Sequence, residues 1–135
     1  MQIRRVAAIA SVGALTMLTG CGGGGVGVTL ADYSVTPEES SAPAGEVTFD
    51  VSNDAEQTHE FVIFKTDLAE GDLPTNEDGD VDESGEGVEL IDEIEDVEAG
   101  SSESLTVSLD AGNYVLICNL PGHYRQGMHA SFTVG

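Results

Sequence analysis

Apolar and polar residues alternate with a period of two through much of the chain after residue 25. Three segments show the pattern best: 47–51 (VTFDV), 105–109 (LTVSL) and 130–134 (ASFTV). Successive side chains of a strand point to opposite faces of its sheet, so this pattern predicts strands with one buried face and one solvated face. No segment repeats apolar residues convincingly at helical spacing. We therefore predict an all-β domain.

Residues typical of turns separate these segments. They are found at 43–45, 53–54, 99–100 and 110–113, and we expect the last of them to join strands 104–109 and 114–118 as a hairpin. The segment 89–97 (ELIDEIEDV) fits either a short helix or an edge strand. The resulting class is a β-sandwich or barrel of about seven or eight short strands.

One stretch interrupts the alternation. Residues 66–87, the acidic loop, are rich in Asp, Glu and Gly and poor in apolar side chains, which predicts a long solvated loop. Within it Asp78, Asp80 and Asp82 alternate like the first ligands of an EF-hand. However, Glu83 stands where that motif needs Gly, and no helices flank the segment. A specific calcium site is therefore the weaker interpretation.

The N-terminal segment has the features of a targeting signal. Arg4 and Arg5 precede an apolar run over 6–18, which ends in Leu-Thr-Gly-Cys21. This quartet resembles the bacterial lipobox, which implies removal of residues 1–20 and lipid attachment to Cys21. We expect residues 21–25 to be a lipidated, Gly-rich linker and residues 26–135 to form one domain. The lipid would hold that domain on the extracytoplasmic face of a membrane.

Charge excludes one class of partner. The 135 residues carry 25 acidic side chains against four basic ones, and only Lys65 and Arg125 of the basic residues lie beyond the predicted signal. Nucleic-acid binding needs Lys and Arg contacts to phosphate, so it is excluded. Strong acidity favours solubility and basic partners. We expect a monomer.

The candidate chemistry lies in residues 118–128 (CNLPGHYRQGM), the ligand loop. Cys118, His123 and Met128 supply a thiolate, an imidazole and a thioether at the spacing Cys-x4-His-x4-Met. Because successive side chains of a strand alternate between its two faces, we expect Cys118 and Met128 to point toward the core. A lipidated Cys21 leaves Cys118 with no disulfide partner. A lone thiol in an oxidising compartment is a liability unless a metal occupies it.

A fourth ligand is expected at His59, which opens the apolar stretch HEFVIF. Alone, such a histidine is more often structural, and Cys118, His123 and Met128 each have an ordinary structural explanation, but together they favour a metal site. Thioether is a poor ligand for zinc, whereas two imidazoles, a thiolate and a weak thioether suit copper as Cu(I) and Cu(II). We predict one copper per chain. No open position or general base accompanies the set, so we do not expect an enzyme.

These residues carry a family resemblance. The ligand loop, followed by an apolar strand and preceded by THEFVIF, resembles the cupredoxins, the blue copper proteins. Its spacing is closer to auracyanin, rusticyanin and sulfocyanin than to plastocyanin. The resemblance implies a Greek-key β-sandwich in which His59, Cys118, His123 and Met128 hold copper at one end.

The resemblance also implies roles around the ligands. Electrons would pass at the exposed edge of His123, with Leu120 and Pro121 in an apolar docking patch around it. Asn53 would tie the two ligand-bearing segments together. Glu60 departs from the family pattern, which often has Asn or Ser after the first histidine, and its carboxylate bears on the reduction potential.

The leading functional hypothesis is a membrane-anchored one-electron carrier that exchanges electrons with a redox partner protein. The same ligands suit a second function, the buffering of copper or its delivery to a copper-recipient protein outside the cytoplasm. An acidic calcium-binding or adhesion module is the third and weakest hypothesis.

Overall fold

The computed structural model describes residues 25–135, and it is all-β, as predicted. One 3₁₀ turn, Tyr124–Gln126, lies between the last two strands, and the described residues contain no α-helix. The strands are β1 (Gly25–Ala31), β2 (Ser34–Pro37), β3 (Ser41–Ala42), β4 (Gly45–Asn53), β5 (His59–Lys65), β6 (Glu89–Val97), β7 (Ser102–Leu109), β8 (Gly112–Ile117) and β9 (His129–Val134).

The strands form two sheets that pack as a sandwich. One sheet has the order β2-β1-β4-β7 and the other has the order β3-β9-β8-β5-β6. The pairs β1/β4 and β3/β9 are parallel, whereas the remaining pairs are antiparallel. The predicted β-sandwich is therefore confirmed.

The main core lies between the two sheets and uses the inward side of the alternating segments. Phe49 of β4 contacts Phe61 and Phe132 of the opposite sheet, with ring centroids 5.5 and 5.4 Å apart. Cys118 and Met128 belong to this cluster, as strand parity predicted. Side chains at alternate positions of the strands thus point into the space between the two sheets and form one core.

The expected hairpin between segments 104–109 and 114–118 is wrong. β7 pairs with β4 in the four-stranded sheet, whereas β8 pairs with β5 and β9 in the five-stranded sheet. Residues 110–111 carry the chain from one sheet to the other. Turn residues mark where the chain reverses, but they do not specify which sheet the next strand joins.

The segment 89–97 is the edge strand β6 rather than a helix. It pairs only with β5 among the described strands, and its register shifts at two points. Ile94 and Val97 are its buried side chains, while most of its acidic residues face solvent. Charged side chains and irregular register are common devices that keep an edge strand from pairing with other chains.

The acidic loop is less solvated than predicted. Leu73 and Val81 are buried against the outer face of the five-stranded sheet. They complete a second apolar cluster with side chains from β5, β8 and the 3₁₀ turn, namely Val62, Phe64, Val115, Ile117 and Tyr124. β5 is consequently buried on both faces, which explains its continuous apolar run FVIF at residues 61–64.

The predicted signal at 1–20, the lipidation site Cys21 and most of the linker lie outside the described residues. Within residues 25–135, no helix has the length and apolar character needed to cross a membrane. The domain boundary at residue 26 stays a prediction, and strand β1 begins one residue earlier, at Gly25.

Candidate metal centre

The ligand loop joins the neighbouring antiparallel strands β8 and β9. Cys118 follows the last residue of β8 and Met128 precedes the first residue of β9, where Ile117 is paired with His129. The N–H of Cys118 donates to the carbonyl of Met128 at 3.1 Å. The sheet itself therefore holds the first and last candidate ligands side by side at the edge of the core.

His123 lies midway along the ligand loop and is half-buried. The 3₁₀ turn starts directly after it and is followed by Gly127, whose φ of 113° favours glycine. The carbonyl of His123 accepts the N–H of Gln126 at 3.1 Å and the N–H of Met128 at 3.3 Å. These bonds fold the loop back on itself and turn the imidazole toward Cys118.

His59 opens β5 and is fully buried. Its Nδ1 lies 3.8 Å from Sγ of Cys118 and 3.2 Å from Nδ1 of His123. The third side of this triangle, between Sγ of Cys118 and Nδ1 of His123, measures 3.4 Å. Among the described residues, this group of donor atoms is one of two that could hold a metal ion.

The triangle has the size and chemistry for a copper ion. An ion equidistant from the three donors would lie about 2 Å from each, the range of bonds from imidazole and thiolate to a first-row metal. Met128 is fully buried in the same core cluster. Two imidazoles and a thiolate with a nearby thioether are the donor set of blue-copper sites, so these residues fit that metal.

Burial shapes the protonation of the donors. Desolvation raises the pKa of the Cys118 thiol, opposed by backbone N–H donors of Glu60 and Leu120. The Glu60 N–H lies 3.3 Å from Sγ. Desolvation, followed by repulsion from His59, lowers the pKa of His123. The neutral imidazole that a metal requires is therefore favoured at His123, whereas the thiolate needs a cation to form.

The outer nitrogen of His59 is held by a carboxylate that sequence reasoning missed. Nε2 of His59 lies 3.0 Å from Oδ1 of Asp32, which also accepts a 2.6 Å hydrogen bond from Nε2 of Gln57. The bond from Gln57 lowers the pKa of Asp32. Asp32 lies in the turn between β1 and β2, 27 residues before His59, so no local motif could have indicated it.

The acidic loop is hydrogen-bonded to the ligand loop at several points. The side chain of Asn119 accepts the N–H of Val81 at 2.8 Å and donates to the carbonyl of Val81 at 3.0 Å. The N–H of Gly122 donates to Oδ1 of Asp80 at 2.8 Å. The acidic loop therefore braces the segment that presents His123, a role that its composition did not suggest.

Tyr124 adds a further connection from the 3₁₀ turn. Its hydroxyl donates to the carbonyl of Glu70 at 2.8 Å and accepts the N–H of Leu73 at 3.1 Å. The buried ring also packs in the second apolar cluster. The residue after His123 is thus anchored in the acidic loop by both packing and hydrogen bonds.

The Asn53 side chain does not link the two ligand-bearing segments, the role that the resemblance implied. It donates to the carbonyls of Gln57 and Val97, both at 2.8 Å, and accepts the N–H of Ala55 at 2.9 Å. Within residues 25–135 it makes no hydrogen bond to the ligand loop. Asn53 instead shapes the turn that precedes His59, and the N–H of Glu60 provides the link to Cys118.

The surface beside His123 includes the predicted Leu120 and Pro121. Leu120 is half-buried against the main core, and Pro121 is exposed. Tyr33, which sequence reasoning missed, packs edge-on against the His123 ring at 5.5 Å and is 39% exposed. The half-buried imidazole thus lies beside an aromatic ring.

The acidic residues that converge are not those of the calcium hypothesis. Asp78, Asp80 and Asp82 form no metal-sized group among the described residues, whereas carboxylate oxygens of Glu60, Glu83 and Glu93 lie within 4.8 Å of one another. Desolvation, then repulsion from Glu93 and Glu83, raises the pKa of Glu60 to about 7. This cluster brings carboxylates of β5, β6 and the acidic loop close together.

Comparison with known proteins identifies the fold. No protein-family profile matches the chain, and no curated protein sequence matches it. Auracyanin from Roseiflexus castenholzii is 21% identical, with a TM-score of 0.58 over 82% of this chain and 96% of that chain. Auracyanin A, a "blue" copper protein from Chloroflexus aurantiacus, is 18% identical, with a TM-score of 0.59 over 84% and 100%.

A third structure supports the same conclusion. Rusticyanin from Thiobacillus ferrooxidans is 18% identical, with a TM-score of 0.59 over 82% of this chain and 77% of that chain. These likenesses show that the chain has the cupredoxin fold. The predicted fold is therefore confirmed.

Proposed function

We propose that the chain is a type 1 copper protein that carries one electron at a time between proteins outside the cytoplasm. One observation carries the proposal: Nδ1 of His59, Sγ of Cys118 and Nδ1 of His123 converge beside the buried Met128. The same fold in a "blue" copper protein, auracyanin A, supports it. His59, Cys118, His123 and Met128 are the proposed ligands.

The surroundings of these donors suit electron exchange. Copper would supply the one-electron change between Cu(I) and Cu(II) that this donor set accommodates in both states. The protein keeps its donors in place: Cys118 and Met128 are tied by a backbone hydrogen bond, and His59 starts a central strand. Burial of His59, Cys118 and Met128 keeps water from the site. Donors fixed in this way limit rearrangement when the charge changes.

His123 is the proposed port for the electron. Its ring is half-buried, and in the described part of the chain its Nε2 has no hydrogen-bond partner. Leu120, Pro121 and Tyr33 provide apolar surface beside it, which a redox partner protein can cover. The strong negative charge of the chain favours a partner with a basic surface. Lipid on Cys21 would keep the protein at the membrane.

The proposal is tested by reconstitution with Cu(II). One equivalent of metal should give an intense thiolate-to-copper absorption and a reversible one-electron voltammogram. Cys118→Ser should abolish the absorption, because the charge-transfer donor is lost. His129→Gln is the matched control, because His129 lies outside the donor triangle and packs against Tyr124. Its spectrum should match that of the wild type.

Two results would contradict an electron carrier. A colourless, redox-silent copper complex would exclude a type 1 site altogether. A coloured complex that rapidly loses its copper to an apo-protein acceptor would instead support copper delivery, the alternative that the same ligands permit. Retention of copper through repeated redox cycles distinguishes the carrier from the delivery protein.

A further inference from the structure

The hydrogen bond between His59 and Asp32 joins the two sheets of the sandwich. His59 begins β5 in the five-stranded sheet, and Asp32 lies in the β1–β2 turn of the four-stranded sheet. The ring of His59 is fully buried, while the Asp32 side chain is 41% exposed. Nε2 and Oδ1 are 3.0 Å apart. The carboxylate therefore covers the solvent side of the buried imidazole.

This contact determines which nitrogen of His59 carries the proton. A carboxylate accepts hydrogen bonds, so Nε2 is the protonated nitrogen and Nδ1 presents its lone pair toward Cys118 and His123. The Nε2 of Gln57 holds the same carboxylate oxygen at 2.6 Å and fixes its position. The imidazole is thus oriented for metal binding before a metal arrives.

The contact also places a negative charge next to a candidate ligand. A carboxylate that accepts the outer N–H of a ligating histidine makes the imidazole more basic, and loss of such a partner typically weakens metal binding about 10–100-fold. The added negative charge stabilises Cu(II) more than Cu(I), because the oxidised ion carries one more positive charge. The oxidised state is therefore the one that the contact favours.

Building on the proposed function, we propose that Asp32 is a positioning residue that fixes the orientation of His59 and lowers the reduction potential of the bound copper. Gln57 supports this role by holding the carboxylate. His123 has no comparable carboxylate partner on its ring in the described residues, so the effect acts through one of the two imidazoles.

Two substitutions separate charge from orientation. In Asp32→Asn the amide oxygen can still accept the His59 proton, but the charge is lost. In Asp32→Leu both the charge and the acceptor are lost. Glu56→Gln is the matched control, because it removes one charge from the turn before His59, and the exposed Glu56 side chain makes no hydrogen bond to His59.

Voltammetry of the copper-loaded variants measures the effect of the charge. Asp32→Asn should raise the ratio of Cu(I) to Cu(II) affinity about tenfold, which corresponds to a rise of about 59 mV for a one-electron couple. Glu56→Gln should change the potential much less. An unchanged potential in Asp32→Asn, or an equal rise in Glu56→Gln, would overturn the tuning role.

Nitrogen NMR of the metal-free protein tests the orientation independently of copper. The wild type and Asp32→Asn should show His59 protonated at Nε2, whereas Asp32→Leu should show a mixture of tautomers. An unchanged tautomer in Asp32→Leu would overturn the positioning role. If the wild type forms no type 1 site, the proposed function fails and the tuning role fails with it. The NMR result still decides whether Asp32 positions His59.

Discussion

The two imidazoles of the candidate site are held in opposite ways. His59 is fully buried at the start of a central strand, and its outer nitrogen faces the carboxylate of Asp32. His123 is half-buried in a loop, and its outer nitrogen has no hydrogen-bond partner in residues 25–135. The two rings nevertheless place Nδ1 atoms 3.2 Å apart.

This difference indicates a division of roles. A fully buried imidazole whose outer nitrogen has a hydrogen-bond acceptor suits a ligand that stays fixed in place. A half-buried imidazole whose outer nitrogen has no partner among the described residues suits contact with another protein. The support for His123 comes from the acidic loop, through Asn119, Gly122 and Tyr124. The exposed side of the site thus depends on a segment whose composition alone predicts a solvated loop.

The largest effect is expected when each of the two histidines is replaced by glycine. His59→Gly and His123→Gly should both lose the thiolate-to-copper absorption, because a strong ligand is missing. Added imidazole should restore it in His123→Gly at a concentration at least about tenfold lower, because filling the sealed His59 position requires opening of the structure at a cost of ~1.4 kcal/mol or more. Titration with imidazole, followed by absorption, measures this.

His129→Gly is the control for this experiment and should keep the absorption without imidazole. If both ligand variants needed the same imidazole concentration to restore the absorption, the difference in burial between positions 59 and 123 would not affect access to the site. If His59→Gly needed a lower imidazole concentration than His123→Gly, position 59 rather than position 123 would be the accessible side of the site.

An intermediate effect is expected from Asn119→Ala, which removes the brace between the ligand loop and the acidic loop. The N–H and carbonyl of the buried Val81 lose their partner, so the metal-free protein should be destabilised by about 1–3 kcal/mol. Urea unfolding measures this change in the free energy of unfolding.

Asn113→Ala is the matched control for the brace. The Asn113 side chain is exposed and bonds to the exposed Asp67, so its loss should change stability by no more than about 0.5 kcal/mol. If the two asparagine variants were equally stable, the Asn119 side chain would not brace the ligand loop against the acidic loop.

The smallest effect concerns pH and the cluster of Glu60, Glu83 and Glu93. The pKa of Glu60 is raised to about 7 in the folded protein, so its charged form is disfavoured by folding. The stability that protonated Glu60 contributes is therefore complete below about pH 4.5 and lost as pH rises through about 7. Glu60→Gln should leave metal-free stability unchanged at pH 4 and raise it at pH 8.

The expected gain at pH 8 is on the order of 1 kcal/mol, since Glu60 is partly exposed, which limits both its desolvation and its repulsion by Glu93 and Glu83. Urea unfolding of both proteins across this pH range gives the difference, in which contributions of titratable groups distant from Glu60 cancel. Glu86→Gln, at an exposed position of the acidic loop, should show no such pH-dependent gain. A difference between wild type and Glu60→Gln that does not change with pH would show that burial and the neighbouring carboxylates do not raise the pKa of Glu60.

Sequence patterns were sufficient for much of the fold and for the candidate ligands. Period-two alternation predicted the strands, and parity predicted that Cys118 and Met128 enter the main core, as they do. His59 was proposed because it opens an apolar strand and because the other donors needed a partner. The strand and core predictions succeed because side-chain direction in a strand depends only on position along it. His59 as a ligand stays a prediction, and its Nδ1 lies 3.8 Å from Sγ of Cys118.

Predictions of which segments of the chain contact each other in the fold were weaker. The hairpin of segments 104–109 and 114–118 was wrong because the turn residues say nothing about which sheet receives the next strand. The acidic loop was expected to be solvated, yet Leu73 and Val81 bury against the sheet. Leu68, Leu73 and Val81 are the only large apolar residues among these 22 and give little signal. The burial of Leu73 and Val81 depends on a sheet face that lies elsewhere in the sequence.

The sequence by itself determined the strand pattern, the acidic character and the identity of the candidate donors in residues 118–128 and at His59, because these depend on residue type and local spacing. Only the tertiary structure brought Asp32 to His59, Tyr33 to His123 and the acidic loop to the ligand loop. Those contacts join residues 27 to 90 positions apart. They depend on how two sheets and a long loop pack, which no local pattern records.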